Sequence, residues 1–216
     1  LSDSGKERGF ETVVLNDGWF GERNSSKTSL GDWQVDANKF PNGIKPLVDH
    51  AKETKLQFGI WFEPEMISPN SDLMQNHPDW VMRTAEYEPL LGRSQYILDL
   101  TNAEVQTFII DLLTRSIKDF GVSYIKWDMN RHITDPASNL SNRSHANEYS
   151  HRYMMGLYRI LNTITTLFPE VLFENCSSGG GRLDPGMLYF MPQTWASDNT
   201  DGLDRQLIQY GASYLF

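Results

Sequence analysis

The sequence predicts an α/β fold built on a parallel sheet. Two observations carry this: short β-branched or aromatic runs alternate with longer stretches of helical periodicity, and each run finishes in polar residues where its following loop should begin. Five runs read as sheet strands, at residues 11–16 (ETVVLN), 57–62 (QFGIWF), 123–128 (SYIKWD), 171–175 (VLFEN) and 194–198 (TWASD). A shorter run at 96–100 is either a sixth strand or an excursion outside the sheet.

Between the strands, residues 43–56 place Ile44, Leu47, Val48 and Ala51 on one helical face. Residues 102–120 do the same with Val105, Phe108, Ile109, Leu112 and Ile117, and Thr101 with Glu104 is expected to form a capping box at their start. A third helix is predicted over 146–168, carrying Leu157, Ile160, Leu161, Ile164 and Leu167 and stopping before Pro169. Its approach, 133–147, is rich in Ser, Asn and Asp and reads as a long loop.

Composition narrows the function. The chain has 28 Asp and Glu against 19 Lys and Arg, a net charge of −9, which offers no footprint for phosphate backbones or anionic membranes. Nucleic acid is excluded as a partner on this ground. No apolar stretch approaches the roughly 20 residues of a membrane span. The single cysteine, Cys176, excludes an internal disulfide, and the five histidines lack zinc-ligand spacing, so neither metal nor cofactor is expected. Aromatic residues make up 12% of the chain, with six Trp, which suits carbohydrate binding although Trp also fills cores.

Polar residues at the C-terminal ends of parallel strands are where (β/α)8 barrels place their active sites. The predicted strands end in Asn16-Asp17-Gly18-Trp19, Glu63-Pro64-Glu65, Lys126-Trp127-Asp128-Met129-Asn130, Glu174-Asn175-Cys176-Ser177 and Ser197-Asp198-Asn199-Thr200-Asp201. Five or six strands are too few to close such a barrel. The chain also starts almost at a strand and ends in hydrophobic residues 212–216, so residues 1–216 are expected to be part of a single (β/α)8 catalytic domain of a longer polypeptide.

Lys126, Asp128 and Asn130 are spaced by two and project to the same side of an extended strand. A lysine beside Asp128 favours the ionised carboxylate, as a nucleophile requires, though a plain salt bridge would look the same. Asp198 follows Trp-Ala-Ser and precedes Asp201; an apolar wall and a second negative charge both favour its protonated form, suiting a proton donor. The alternative is an Asx turn or helix cap. Two carboxylates at the ends of different strands match the pairing of a glycosidase. Gly179-Gly180-Gly181 lacks the spacing of a nucleotide-binding loop and serves either close approach to a sugar or a flexible turn. A lone Cys such as Cys176 is most often a small buried hydrophobe.

The segments LNDGWFG (15–21), GIWFEPEM (59–66), YIKWDMNR (124–131), ENCSSGGGR (174–182) and SDNTD (197–201), in this order, resemble the bacterial α-galactosidases of glycoside hydrolase family 36, from about residue 9 to the end. The resemblance implies a (β/α)8 barrel that hydrolyses terminal α-galactosides such as melibiose and raffinose with retention and without cofactor. It implies Asp128 as nucleophile and Asp198 as acid/base. Asp17, beside Asn16, would bind hydroxyls on the O4 and O6 side, Trp61 would line the pocket, Arg93, Lys126 and Asn130 would hold further hydroxyls, and Cys176 and Gly179 would contact O2.

Asn16 departs from the family, which commonly has an acid there, and an amide loses the charge-assisted bond to a hydroxyl. Family members also carry an N-terminal β-sandwich, further barrel strands and a C-terminal β-domain. A related galactosyl transferase, an α-N-acetylgalactosaminidase and an inactive sugar-binding fragment are the alternatives. The expected partner is a small oligosaccharide, with a homo-oligomeric full-length protein in a bacterial cytoplasm. Glycosylation patterns at Asn24, Asn139, Asn142 and Asn175 carry little weight, the last because it falls at a strand end inside the proposed pocket.

Overall fold

Strand β2 (Gln57–Phe62) is buried at every position after its first, the signature of a parallel strand covered on both faces. Around it the computed structural model, which describes residues 2–84, 87–138 and 147–214, assembles a five-stranded sheet in the order β1-β2-β5-β6-β7. The partners are β1 (Thr12–Leu15), β5 (Tyr124–Trp127), β6 (Leu172–Asn175) and β7 (Gln193–Thr194), and every pairing is parallel. The run at 96–100 is an excursion: β4 (Tyr96–Ile97) pairs antiparallel with β3 (Met66–Ile67) in a separate two-stranded ribbon.

Parallel strands need long crossovers, and helices supply them. Helix α2 (Lys45–Glu53) joins β1 to β2, α4 (Ala103–Phe120) leads into β5, and α5 (Tyr149–Leu167) joins β5 to β6. The predicted faces are mostly those buried: Val48 and Ala51 of α2, Val105, Ile109, Leu112 and Ile117 of α4, and Leu157, Ile160, Leu161 and Ile164 of α5. Leu47 and Leu167 depart from expectation, lying 41% and 57% exposed. Gly121, at φ 63° past the end of α4, closes that helix in the left-handed conformation that glycine adopts without steric penalty.

The start of α4 also differs from the expected capping box. Its N-cap is Asn102, whose side chain accepts from the Glu104 N–H at 2.8 Å, while Thr101 turns its hydroxyl to Asp99 at 2.6 Å. The buried Asp99 carboxylate outcompetes the helix end for the Thr101 donor, and Asn102 takes the vacated role.

Other helices lacked enough apolar periodicity to be seen in the sequence: α1 (Ser2–Glu7), α3 (Asp72–Asn76), the 3-10 turn Pro78–Trp80, α6 (Pro185–Phe190) and α7 (Gly202–Ala212). Side chains of Ser71, Asp184 and Asp201 start α3, α6 and α7 by accepting their first free N–H groups. Asp201 thereby ends the predicted strand 194–198 early, because the chain after β7 is turning into α7. No helix among the described residues is long and apolar enough to cross a membrane. Asn139 and Asn142 lie outside the described residues, Asn24 is exposed, and Asn175 is buried with its amide donating to the Arg182 carbonyl at 2.7 Å, which leaves no room for a glycan.

Helix α5 approaches the Leu100 turn so closely that a β-carbon at Gly156 would sit 2.0 Å from the Leu100 carbonyl oxygen and 3.0 Å from Gln106 Nε2. Alanine gains roughly 1 kcal/mol of helix propensity over glycine, whereas overpacking of this severity costs roughly 1–3 kcal/mol or more. Gly156→Ala is therefore expected to lower the thermal midpoint, read by calorimetry, despite its better helix propensity.

Candidate active site

The strand register builds the site. Pairing of Phe62 with Trp127 is followed by one more rung, the Asp128 N–H donating to the Phe62 carbonyl at 2.8 Å, which seats Asp128 beside the end of β2. Its side chain is buried and its carboxylate collects donors from three directions. Oδ2 accepts from Trp61 Nε1 at 3.1 Å and Asn130 Nδ2 at 2.7 Å; Oδ1 accepts from the backbone N–H of Met129 at 2.8 Å and of Ser178 at 3.4 Å. Cys176 also faces it. The thiol is pushed up to about 12, mainly by burial and then by the Asp128 charge and its hydrogen bond to Asp128.

Lys126 does not take the place expected for it. Its ion pair is with Glu174, 3.7 Å away on β6, because the register sets these two residues side by side across the strands. The ammonium lies 4.9 Å from the Trp195 ring centre, a cation–π position. Asp128 is held by hydrogen-bond donors rather than by that cation.

Asp198 lies beyond β7, and its setting also differs from expectation. It is exposed and accepts from Trp195 Nε1 at 2.8 Å, while the Asp201 carboxylate accepts from the Leu203 and Asp204 N–H groups at 2.9 and 3.1 Å and so caps α7. What joins the two aspartates is the loop after β6. Ser178 reaches Asp128, while Gly179, at φ +92°, lies against the 197–198 backbone, where a β-carbon would be 2.8 Å from Ser197 Cα and 3.1 Å from the Asp198 nitrogen.

The remaining predicted residues fall around this centre. Asp17 follows β1 and is clamped by Arg23 Nε and Nη2, each at 3.0 Å; neighbouring Asn16 is exposed. Trp61 is buried, stacks on Phe20 at 6.1 Å and spends its indole N–H on Asp128, so it supports the carboxylate more than it lines a pocket. Arg93 is exposed and donates to Ser178 Oγ at 3.1 Å and to the Asn130 carbonyl at 3.5 Å. Asn130 is fully engaged: Nδ2 serves Glu63 and Asp128, and Oδ1 accepts from Ser178 Oγ at 2.9 Å.

Two participants were given no role in the sequence reading. Ser178 sits in a loop whose glycines drew attention instead. Glu63, immediately after β2, accepts from the Asn130 N–H at 2.6 Å, Asn130 Nδ2 at 2.9 Å and Gln95 Nε2 at 2.8 Å. Its two-residue spacing from Trp61 was the available signal, the same one that placed Lys126, Asp128 and Asn130 on one side. A cavity of about 460 Å³ borders these groups, lined by residues 129–133 with Ser177, Ser178, Gly181 and Arg182. A larger one, about 730 Å³, lies between residues 21–34, α3 and α4 and contains none of them, so size does not locate the chemistry. No group of three or more His, Cys, Asp or Glu among the described residues is placed to hold a metal.

Burial and, less strongly, the Asp128 charge push Glu63 up from 4.5 to about 7 against the hydrogen bonds from Asn130 and Gln95. Between these two values the folded state keeps a proton that the unfolded chain has released, so the stability this proton lends is full below 4.5 and lost as pH rises to about 7. The loss is on the order of 3 kcal/mol. Glu63→Gln cannot titrate, and thermal melts at about pH 5 and about pH 8 should show the variant losing less stability than the parent between them.

The whole chain, residues 1–216, matches the family described as Melibiase. Alpha-galactosidase AgaA of Geobacillus stearothermophilus is 49% identical over 216 residues, and Alpha-galactosidase 1 of Pediococcus pentosaceus 50%; each match covers 100% of this chain and 30% of the relative. The crystal structure of the GH36 enzyme AgaA superimposes with a TM-score of 0.96 at 49% identity, covering 99% of this chain and 30% of that one. Variants of AgaA in complex with raffinose and with stachyose each give 0.95 at 48% identity, with the same coverage. The chain thus spans about 30% of the length of these relatives.

Proposed function

Because the chain belongs to the melibiase family, we propose that it forms the catalytic part of a retaining α-galactosidase that removes terminal α-linked galactose from oligosaccharides. The observation that carries this reading is the setting of Asp128, a buried carboxylate at a strand end with each oxygen oriented by two donors. Raffinose and stachyose, found bound to a relative, are the proposed substrates together with melibiose. The five parallel strands are proposed to belong to a (β/α)8 barrel, with residues 1–216 inside one catalytic domain.

The proposed chemistry is double displacement. An Asp128 oxygen attacks the anomeric carbon as the bond to the leaving oxygen breaks, and Asp198 passes its proton to that oxygen. Water then attacks the same carbon, Asp198 takes the water proton, and the ester to Asp128 breaks to release galactose in its original α configuration. An exposed Asp198 suits both halves of this exchange, since leaving group and water come and go on its side. Asp17 and Arg93, with Lys126, Cys176 and Gly179, are proposed to hold the sugar hydroxyls.

The test is turnover of p-nitrophenyl α-galactoside and raffinose by the full-length protein. Asp128→Ala is expected to reduce kcat at least ~10⁴-fold on both substrates. Asp198→Ala should cost roughly 10²–10⁴-fold on raffinose and much less in forming the covalent intermediate from the nitrophenyl substrate, whose leaving group needs little protonation. Full turnover by Asp128→Ala would refute the assignment, and β-galactose as the first product by NMR would refute retention.

A further inference from the structure

We propose that Glu63 is a positioning residue for the nucleophile, fixing the orientation of the Asp128 carboxylate through the side-chain amide of Asn130. The inference rests on the galactosidase reading above and concerns a residue that never meets the sugar.

The geometry is that of a two-step clamp. Asn130 Nδ2 has two hydrogens, and the two acceptors facing it are carboxylate oxygens, Glu63 Oε2 at 2.9 Å and Asp128 Oδ2 at 2.7 Å. Its other end, Oδ1, accepts from Ser178 Oγ, which in turn accepts from Arg93 Nη1 at 3.1 Å. The amide therefore has one orientation compatible with its surroundings. Glu63 is itself pinned, because Oε1 accepts from both the Asn130 backbone N–H at 2.6 Å and Gln95 Nε2 at 2.8 Å. Asp128 moves out of place only if this whole set of bonds rearranges.

Comparison with the neighbouring Glu65 sharpens the point. Glu65, also buried, is neutralised by Arg182 at 2.8 Å and braced by Trp127 Nε1 and the Tyr153 hydroxyl, each at 2.8 Å, as a structural carboxylate should be. Glu63 is 1% exposed, its hydrogen-bond partners are neutral, and the charge facing it is that of Asp128. Burial pushes it up, so its ionised form weakens the fold. A glutamine of the same shape would remove that cost. A glutamate at this position fits a role in holding Asp128 at the expense of stability.

Glu63→Gln tests this directly. The amide oxygen would stay with the two donors on Oε1, leaving an NH2 against Asn130 Nδ2. Two donors then face one another; turning over the Asn130 amide relieves this contact and removes its bond to Asp128 Oδ2. In the full-length enzyme at about pH 8, where Glu63 is ionised, with p-nitrophenyl α-galactoside, kcat is expected to fall about 10- to 100-fold, the loss of one charge-assisted hydrogen bond. Galactose affinity by calorimetry should stay within about twofold, and the thermal midpoint at about pH 8 should not fall. In an Asn130→Ala background, which removes the link, Glu63→Gln should have no further effect on kcat.

An unchanged kcat, a kcat that falls together with the thermal midpoint, or effects that multiply in the double variant would each overturn the proposal. Absence of turnover by the unsubstituted enzyme would instead overturn the galactosidase reading beneath it.

Discussion

The register of β5 against β2 is the constraint on which the rest of the site depends. One rung, the Asp128 N–H on the Phe62 carbonyl, decides that Asp128 sits beside Trp61 and Glu63. A slip of one residue would send Lys126, Asp128 and Asn130 to the opposite face together, because side chains alternate along a strand. The apolar residues flanking them resist such a slip: Ile125 and Trp127 are completely buried and would exchange places with the polar set. The hydrophobic core thus fixes the geometry around Asp128.

Ionisable groups are buried at these strand ends in unusual number, and each is resolved differently. Glu65 has a guanidinium, and Glu174 has the Lys126 ammonium and the Tyr124 hydroxyl. Asp99 accepts from the hydroxyls of Thr101, Ser138 and Tyr149, anchoring the turn into α4. Asp128 and Glu63 are left with neutral donors. A carboxylate held by neutral donors is oriented without being tied up in an ion pair, which is the condition under which it can form a bond to carbon.

Much of this was legible in the sequence. Strand β2 and the bodies of α4 and α5 followed from periodicity, and the polar strand ends pointed to Asp128 and Asp198. What could not be read was how side chains divide their partners. The sequence places Lys126 two residues from Asp128, but the choice of Glu174 is made across the sheet, by pairing with a strand almost fifty residues away. Thr101 left the helix cap for a buried carboxylate, and Asp201 took up the cap of α7. Helices α3, α6 and α7 escaped because their starts are set by single side chains, Ser71, Asp184 and Asp201, rather than by apolar repeats.

The contact of Gly179 with the 197–198 backbone works as a spacer of fixed gauge. It is main chain against main chain, so exchanging one neighbouring side chain for another leaves its thickness unchanged. An exposed position such as Asn16 can therefore be exchanged without altering the interval that this contact sets between Ser178 and residues 197–198. Side-chain chemistry and main-chain spacing are thereby assigned to different atoms.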